Sequence, residues 1–244
     1  MKKFRGLACY LNSYYTWFMT INEENLKKYA STISVERLLS FKKDDNDTID
    51  VLIQRYKINL RISQALYPEL STLEITLRNA IDTMLKTCIS ETWLEDEIKQ
   101  QHILSDHEHA KLLTAYNDIK KEYRSKDFST GKVIANLNFG FWTNLCSKWY
   151  CSNIWNKGCC FKGVFVNYPS EVNNIGDIAA KLRLIRRFRN RIFHYEPIFK
   201  YPQNTLKIYS QIMEILSYLP SDNSDILKDT STFISTYNHA MAIK

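Results

Sequence analysis

The sequence predicts an all-α protein, a helical bundle, on three observations. Six Gly and five Pro in 244 residues leave few breaks, which favours long uninterrupted elements over a turn-rich β architecture. Apolar residues recur at three- and four-residue spacing in several segments, most clearly over 70–88 and 178–192. Hydrophobic content of 45% with 24% charge is that of an ordinary globular chain able to bury a full core.

At the start of the chain, MKKFRGLACYLNSYYTWFMT opens with positive charge as a signal peptide does. Asn12, Ser13, Tyr14 and Tyr15 interrupt its apolar part, and no small-residue cleavage site comes after it, so a cytoplasmic location is expected. Residues 1–45 are expected as an N-terminal helical extension. The charged tract FKKDDNDTID (41–50) then serves as a linker to a helical domain over 46–244, unless the whole is one continuous domain. Residues 50–66 place Leu52, Tyr56, Leu60 and Ser63 at helical spacing. Pro68 breaks or restarts the chain, and Ser71 or Thr72 can cap the next helix through its hydroxyl. Leu70, Leu73, Leu77, Ile81, Leu85 and Cys88 then form one amphipathic stripe.

Residues 95–124 are strongly charged and predict another helix with an exposed face. His102, His107 and His109 with Glu108 fit a solvated helix face better than a metal site. SKDFSTGK (125–132) is a loop signal. The aromatic, apolar run 133–156 predicts a buried central helix, and 158–176 a loop with one short strand. A basic helix runs from Asp177, a suitable N-cap, to Tyr195, and Pro197 ends it. Two more helices are expected over 203–218 and 224–240, the last built from weak helix formers. No run of about 18 apolar residues predicts a membrane span. Cys9, Cys88, Cys146, Cys151, Cys159 and Cys160 show no disulfide framework. The last four cluster without C-x2-C spacing or a neighbouring His, which favours reduced thiols over zinc. No metal and no cofactor is expected.

The segment KLRLIRRFRNRIFH (181–194) carries the functional signal. It holds Lys181, Arg183, Arg186, Arg187, Arg189 and Arg191, no acid, and ends on His194; without those six cations the formal charge of +7 would fall to +1. Arginines hold phosphates and an imidazole moves protons, so a phosphodiester-directed site, on RNA first of all, is expected. On a straight helix Ile178, Leu182, Ile185, Phe188 and Ile192 line one apolar stripe, and Arg189 falls inside it. A guanidinium there needs an anion, either a ligand phosphate or a structural carboxylate such as Glu74, unless it reaches out to solvent by snorkelling. His194 shares the opposite face with Asn190 and Arg187, so Arg189 and His194 diverge by about 140°. Acting on one phosphate then requires a distorted helix end or a second subunit. The helix C-terminus favours the imidazolium and the arginines oppose it, which would keep His194 usable for acid–base work. In LEITLRNAID (73–82), Glu74 and Arg78 have ion-pair spacing, and Asn79 suggests a network orienting Arg189 or His194.

LEITLRNAID, LNFGFW (137–142) and LRLIRRFRNRIFHYEPIF (182–199), in that order, resemble the abortive-infection (Abi) family of bacterial proteins within the HEPN superfamily. Ser34, Arg37 and Leu38 (S-x-x-R-L) and Tyr56 with Asn59 (Y-x-x-N) are similar to that family too, and the resemblance spans about residues 34–200. It implies a HEPN-like helical bundle with additional N- and C-terminal helices. The superfamily motif is Arg, a polar residue, three to five further residues, then His, which Arg189-Asn190-Arg191-Ile192-Phe193-His194 satisfies. One motif per chain implies a homodimer with a composite cleft.

The implied activity is metal-independent RNA cleavage in antiphage or toxin-type defence. His194 would serve as general base or acid, Arg189 as oxyanion stabiliser and Asn190 as positioner. Arg183, Arg186, Arg187 and Arg191 would hold the RNA backbone. Glu74, Arg78, Asn79, Tyr195 and Glu196 would support them, Glu196 by orienting the imidazole or forming part of the dimer seam. An antitoxin or a phage-derived trigger is a further expected partner. A non-catalytic RNA- or nucleotide-binding module, or a defence protein working through protein partners, is the alternative.

Overall fold

The computed structural model describes residues 28–29, 32–124, 128–158, 160–170, 173–198, 200, 202–220 and 224–242. Most of the expected N-terminal extension, with Cys9, therefore lies outside the described residues, as does Cys159. Among the described residues the protein is all-α, with no strand.

Helix α1 (Val35–Leu39) is capped by Ser34, whose Oγ accepts from the Arg37 amide at 3.3 Å. The tract expected as a linker is a bonded turn. Phe41 is buried, the amides of Lys43 and Asp44 donate to Asp47, and Asp47 pairs with Arg55. Helix α2 (Ile49–Ala65) buries Ile49, Leu52, Ile53, Ile62 and Ala65 together with one polar residue, Asn59. The stripe expected through Leu60 is therefore displaced, and Leu60 faces solvent.

Leu66 closes α2 and opens α3 (Tyr67–Cys88). Pro68 sits in the first turn, where its missing N–H leaves no helical bond unmade. Ser71 and Thr72 consequently lie inside the helix rather than at its cap, and Ser71 Oγ donates to the Pro68 carbonyl at 3.1 Å. The α3 stripe is as expected: Leu70, Leu73, Leu77, Ile81 and Leu85 are buried, with Cys88 partly so. This helix is the axis of the bundle.

The single helix expected over 95–124 is two, α4 (Trp93–Lys99) and α5 (Asp106–Glu122). The buried Glu97 carboxylate accepts from the amides of His102 (2.9 Å) and Ile103, which stabilises the turn between them. The central helix expected over 133–156 is likewise broken. It comprises α6 (Thr130–Asn136), α7 (Phe139–Leu145), a 3₁₀ turn (Lys148–Tyr150) and a π turn (Cys151–Trp155). The break before α7 falls at Asn138, whose Oδ1 accepts from the Phe141 amide at 3.0 Å. Helix α8 (Cys160–Val164) stands where a strand was expected, because Cys160, Phe161 and Val164 bury one helical face against α3.

The basic helix is α9 (Ile175–Phe193), and α10 (Pro202–Tyr218) comes next. The last expected helix divides into α11 (Ser224–Thr230) and α12 (Phe233–Ala242). Between these two, Ser231 donates to the buried Glu69 of α3. Helices α2, α7, α8, α10 and α11 pack on α3, and α9 packs on α7 and α10, so the basic helix lies on the surface of the bundle. No described helix is long and apolar enough to cross a membrane. Cys146 and Cys151 are free thiols, and burial pushes the Cys146 thiol well above its ordinary range.

Candidate nucleic-acid interface

Helix α9 begins one residue before a glycine, with Asn174 as its cap; Asn174 Oδ1 accepts from the Asp177 amide at 3.4 Å. Asp177 is therefore a first-turn residue rather than the cap. It pairs with Lys181 at 2.8 Å, and Lys181 also reaches Glu214 of α10 at 2.6 Å. Burial alone would lower the Lys181 pKa, but its bonds and charge contacts to Asp177 and Glu214 outweigh it and raise the ammonium above its ordinary range. Lys181 is thus a strut between α9 and α10. Ile178, Leu182, Ile185, Phe188 and Ile192 are all buried, as the periodicity predicts.

The far end of α9 is fixed by four sets of bonds. Tyr195 adopts a left-handed backbone (φ 57°) directly after His194. The Tyr195 amide donates to the Ile192 carbonyl at 3.0 Å and the Glu196 amide to the Arg191 carbonyl at 2.9 Å, closing the helix in a Schellman motif. From α1, Arg37 Nη1 donates to the carbonyls of His194 (2.8 Å) and Tyr195 (3.1 Å). From α2, buried Asn59 donates to the Glu196 carbonyl at 3.1 Å and accepts from the Ile198 amide at 2.8 Å. Thr205 of α10, also buried, donates to the Ile198 carbonyl at 2.9 Å. Arg37 and Asn59, named in the sequence only through a resemblance, are thus the residues that hold the segment carrying His194.

The cations of α9 divide by face. Arg183, Arg187, Asn190 and His194 lie on one solvent-facing stripe, set by steps of four, three and four residues. Arg189 lies on another face, half-buried. Its Nη2 is 3.5 Å from Glu74 Oε2, its Cζ lies 4.2 Å from the Phe193 ring centroid, and its buried Nε has no hydrogen-bond partner among the described residues. Glu74, the structural carboxylate named from the sequence, is thus within reach of Arg189 in the fold. The helix stays α-helical through Phe193, so no local distortion turns Arg189 towards the His194 face.

Several expected partners differ. Glu74 meets Arg189 instead of Arg78; Arg78 Nε donates to Asn79 Oδ1 at 3.3 Å, so Asn79 orients neither Arg189 nor His194. Glu196 bonds Arg191 at 3.0 Å, not the imidazole. Arg191 also donates to the Pro197 carbonyl at 3.1 Å, which takes it out of the free phosphate-holding set. Arg186 leaves that set in part too. Its Nη1 donates to the Gly140 carbonyl (3.3 Å), Thr143 Oγ1 (3.2 Å) and Asn144 Oδ1, locking α9 onto α7.

Glu108, expected on a solvated face, is buried behind this lock. Asn144 donates to it at 2.9 Å, Ser105 donates to it, and Tyr150 donates at 3.3 Å. Burial raises the Glu108 pKa, but the hydrogen bonds from Ser105 and Asn144 and the charges of Lys111 and His107 win and hold it below the usual carboxylate value. Glu97 is also buried, and its backbone carbonyl lies 2.8 Å from His109 Nε2. Among the described residues no group of His, Cys, Asp and Glu is arranged to hold a metal.

The arrangement is a basic helix, bonded at both ends, that presents two arginines, an amide and an imidazole in line. Such a stripe can follow a polyanion and offer a proton carrier at its end. Comparisons with protein-family models, curated proteins and solved structures returned no match for this chain.

Proposed function

We propose that the chain is a metal-independent endoribonuclease of the HEPN type, working as a homodimer in antiphage or toxin-type defence. The observation that carries this reading is the solvent-facing line Arg183–Arg187–Asn190–His194, held at its end by Arg37, Asn59 and the Schellman turn. Arg183 and Arg187, with no carboxylate in salt-bridge range among the described residues, supply backbone affinity that weakens with salt.

Cleavage proceeds by transfer within the RNA. The 2′-hydroxyl loses its proton to a general base and its oxygen bonds to the adjacent phosphorus. The P–O5′ bond breaks, and the 5′ oxygen takes a proton from the acid form. The products are a 2′,3′-cyclic phosphate and a 5′-hydroxyl. His194, exposed at the helix end, is the proton carrier, and Asn190 one turn earlier orients the phosphate. Arg189 stabilises the non-bridging oxygens. Its 3.5 Å contact to Glu74 is longer than a charge-assisted hydrogen bond, so the guanidinium keeps donors to spare. In one chain Arg189 and His194 face apart, so each site combines Arg189 of one subunit with His194 of the other.

A second reading, a non-catalytic RNA-binding module, draws on the same Glu74 contact, which already supplies Arg189 with a counter-charge. Incubation with mixed RNA and EDTA separates the two. The nuclease cuts RNA without metal, and His194→Ala and Arg189→Ala abolish cutting. Binding without cutting in the wild type favours the module. Cutting that persists in both variants, or that requires a divalent metal, contradicts the nuclease.

A further inference from the structure

A cleft of about 200 Å³ lies at the opposite end of α9 from His194. Thr143 of α7 and Ser147 and Lys148 of the turn after it form one wall; Gly176, Arg183 and Arg186 of α9 form the other. The two α9 arginines and Gly176 share a face at spacings of seven and three residues. No carboxylate among the described residues lines the cleft. Lys148 and Arg183 have no ion-pair partner among the described residues. Arg186 is held in place by Gly140, Thr143 and Asn144, which are neutral, so its positive charge is positioned without being cancelled by a contact. Burial and the nearby charges of Arg187 and Arg183 lower its pKa, outweighing the opposite pull of Glu108, which lies behind Asn144.

Gly176 has a steric part here. A Cβ at that position would lie 3.3 Å from Lys148 Cε, so the glycine lets the lysine stem cross the first turn of α9. In that turn the Ile175 and Asp177 amides already bond Asn173 and Asn174, so the cations rather than the helix end supply the binding charge. The volume corresponds to about seven waters of liquid, enough for a phosphate group and its hydration. It is below the roughly 300 Å³ at which pockets begin to enclose whole small-molecule ligands.

We propose that this cleft is a phosphate subsite, in which Lys148, Arg183 and Arg186, with the hydroxyl of Ser147, hold one terminal phosphate group. Arg183 is the first member of the stripe that ends at His194, about 16 Å further along the helix. The subsite does not require that the chain cut RNA, since His194 is no part of it.

The test is calorimetric titration with inorganic phosphate at constant ionic strength. Its other ligands are two DNA oligonucleotides of one sequence, one with a 5′-phosphate and one with a 5′-hydroxyl. DNA lacks the 2′-hydroxyl, so the readout is independent of cleavage. Wild type binds phosphate saturably; Lys148→Gln and Arg183→Gln, both at exposed positions, each weaken it about ten-fold. Ala179→Glu, which puts a carboxylate into the cleft wall, abolishes it. Lys57→Gln removes the same charge from α2 and leaves it unchanged.

A gain from the 5′-phosphate that Arg183→Gln removes assigns the phosphate to a strand end. Equal affinity of the two oligonucleotides, with inorganic phosphate still bound, assigns it to a free phosphate. Absence of saturable phosphate binding, or an equal loss in Lys57→Gln, overturns the subsite.

Discussion

Arg37 Nη1 lies 2.8 Å from the carbonyl oxygen of His194, a residue 157 positions later in the chain, and so ties α1 to the end of α9. The same nitrogen reaches the Tyr195 carbonyl at 3.1 Å. The last carbonyls of a helix have no partner within it, and Arg37 supplies one from another element. Arg37→Met leaves these oxygens to water and costs about 1 kcal/mol of stability by chemical denaturation. RNA cleavage falls further, about ten-fold or more, because the imidazole loses its fixed position. Loss of stability with unchanged cleavage would separate Arg37 from the site.

Asn59 is buried and uses both ends of its amide on the chain just beyond His194. Asn59→Ala strands the Ile198 amide and the Glu196 carbonyl and is expected to cost about 1–3 kcal/mol. Hydrogen exchange of the Ile198 amide reads this directly: its protection drops to that of a local opening, whereas the α3 core amides lose only what global stability loses.

Tyr195 occupies the left-handed position after the helix cap with a φ of 57°, where glycine is the usual residue. Its side chain is largely exposed, so little packing is at stake. Tyr195→Gly relieves backbone strain and is expected to raise stability by up to about 1 kcal/mol, while the β-branched Tyr195→Val lowers it by a similar amount. Urea denaturation of the two variants ranks them; the reverse order would show that the tyrosine side chain contributes more than its backbone costs.

The Glu108 carboxyl, held below its ordinary value of 4.5, contributes stability that is fully present above that value and lost as pH falls through the lowered folded value. Glu108→Gln removes the titration. The variant is less stable than wild type at neutral pH by about 1.5–3 kcal/mol, and the gap closes as the medium is acidified below the folded value. Denaturant unfolding at neutral and acid pH checks this; a gap independent of pH would mean that Glu108 acts through shape alone.

How far the sequence leads depends on what each residue answers to. The apolar stripes of α3 and α9 are legible because burial on one helix face repeats with the helix period. Pro68 misleads because proline suits the first turn of a helix as well as a break, and only Leu66 closing one helix while opening the next decides between them. Asn59 disturbs the α2 stripe because its partners are backbone groups of residues 196 and 198, which periodicity does not see. In the candidate site, the angular separation of Arg189 and His194 and the Arg189–Glu74 alternative can be read from helix geometry. The division among the remaining arginines cannot. Arg183, Arg186 and Arg191 look alike in sequence, yet Arg186 is bonded into α7 and Arg191 to Glu196, which leaves Arg183 beside Lys148. Lys148 and Gly176 give no signal, since neither belongs to the basic run.

In the proposed composite site, Arg189 of one subunit acts with His194 of the other. Mixing purified Arg189→Ala and His194→Ala proteins under conditions of subunit exchange, then assaying RNA cleavage with EDTA, reads this out. Each variant alone lacks every complete site, whereas a mixed two-fold dimer holds one complete site in two. With half the dimers mixed, the pool should recover about a quarter of wild-type cleavage. A mixture as inactive as its two components, after exchange has been verified, would contradict the composite site.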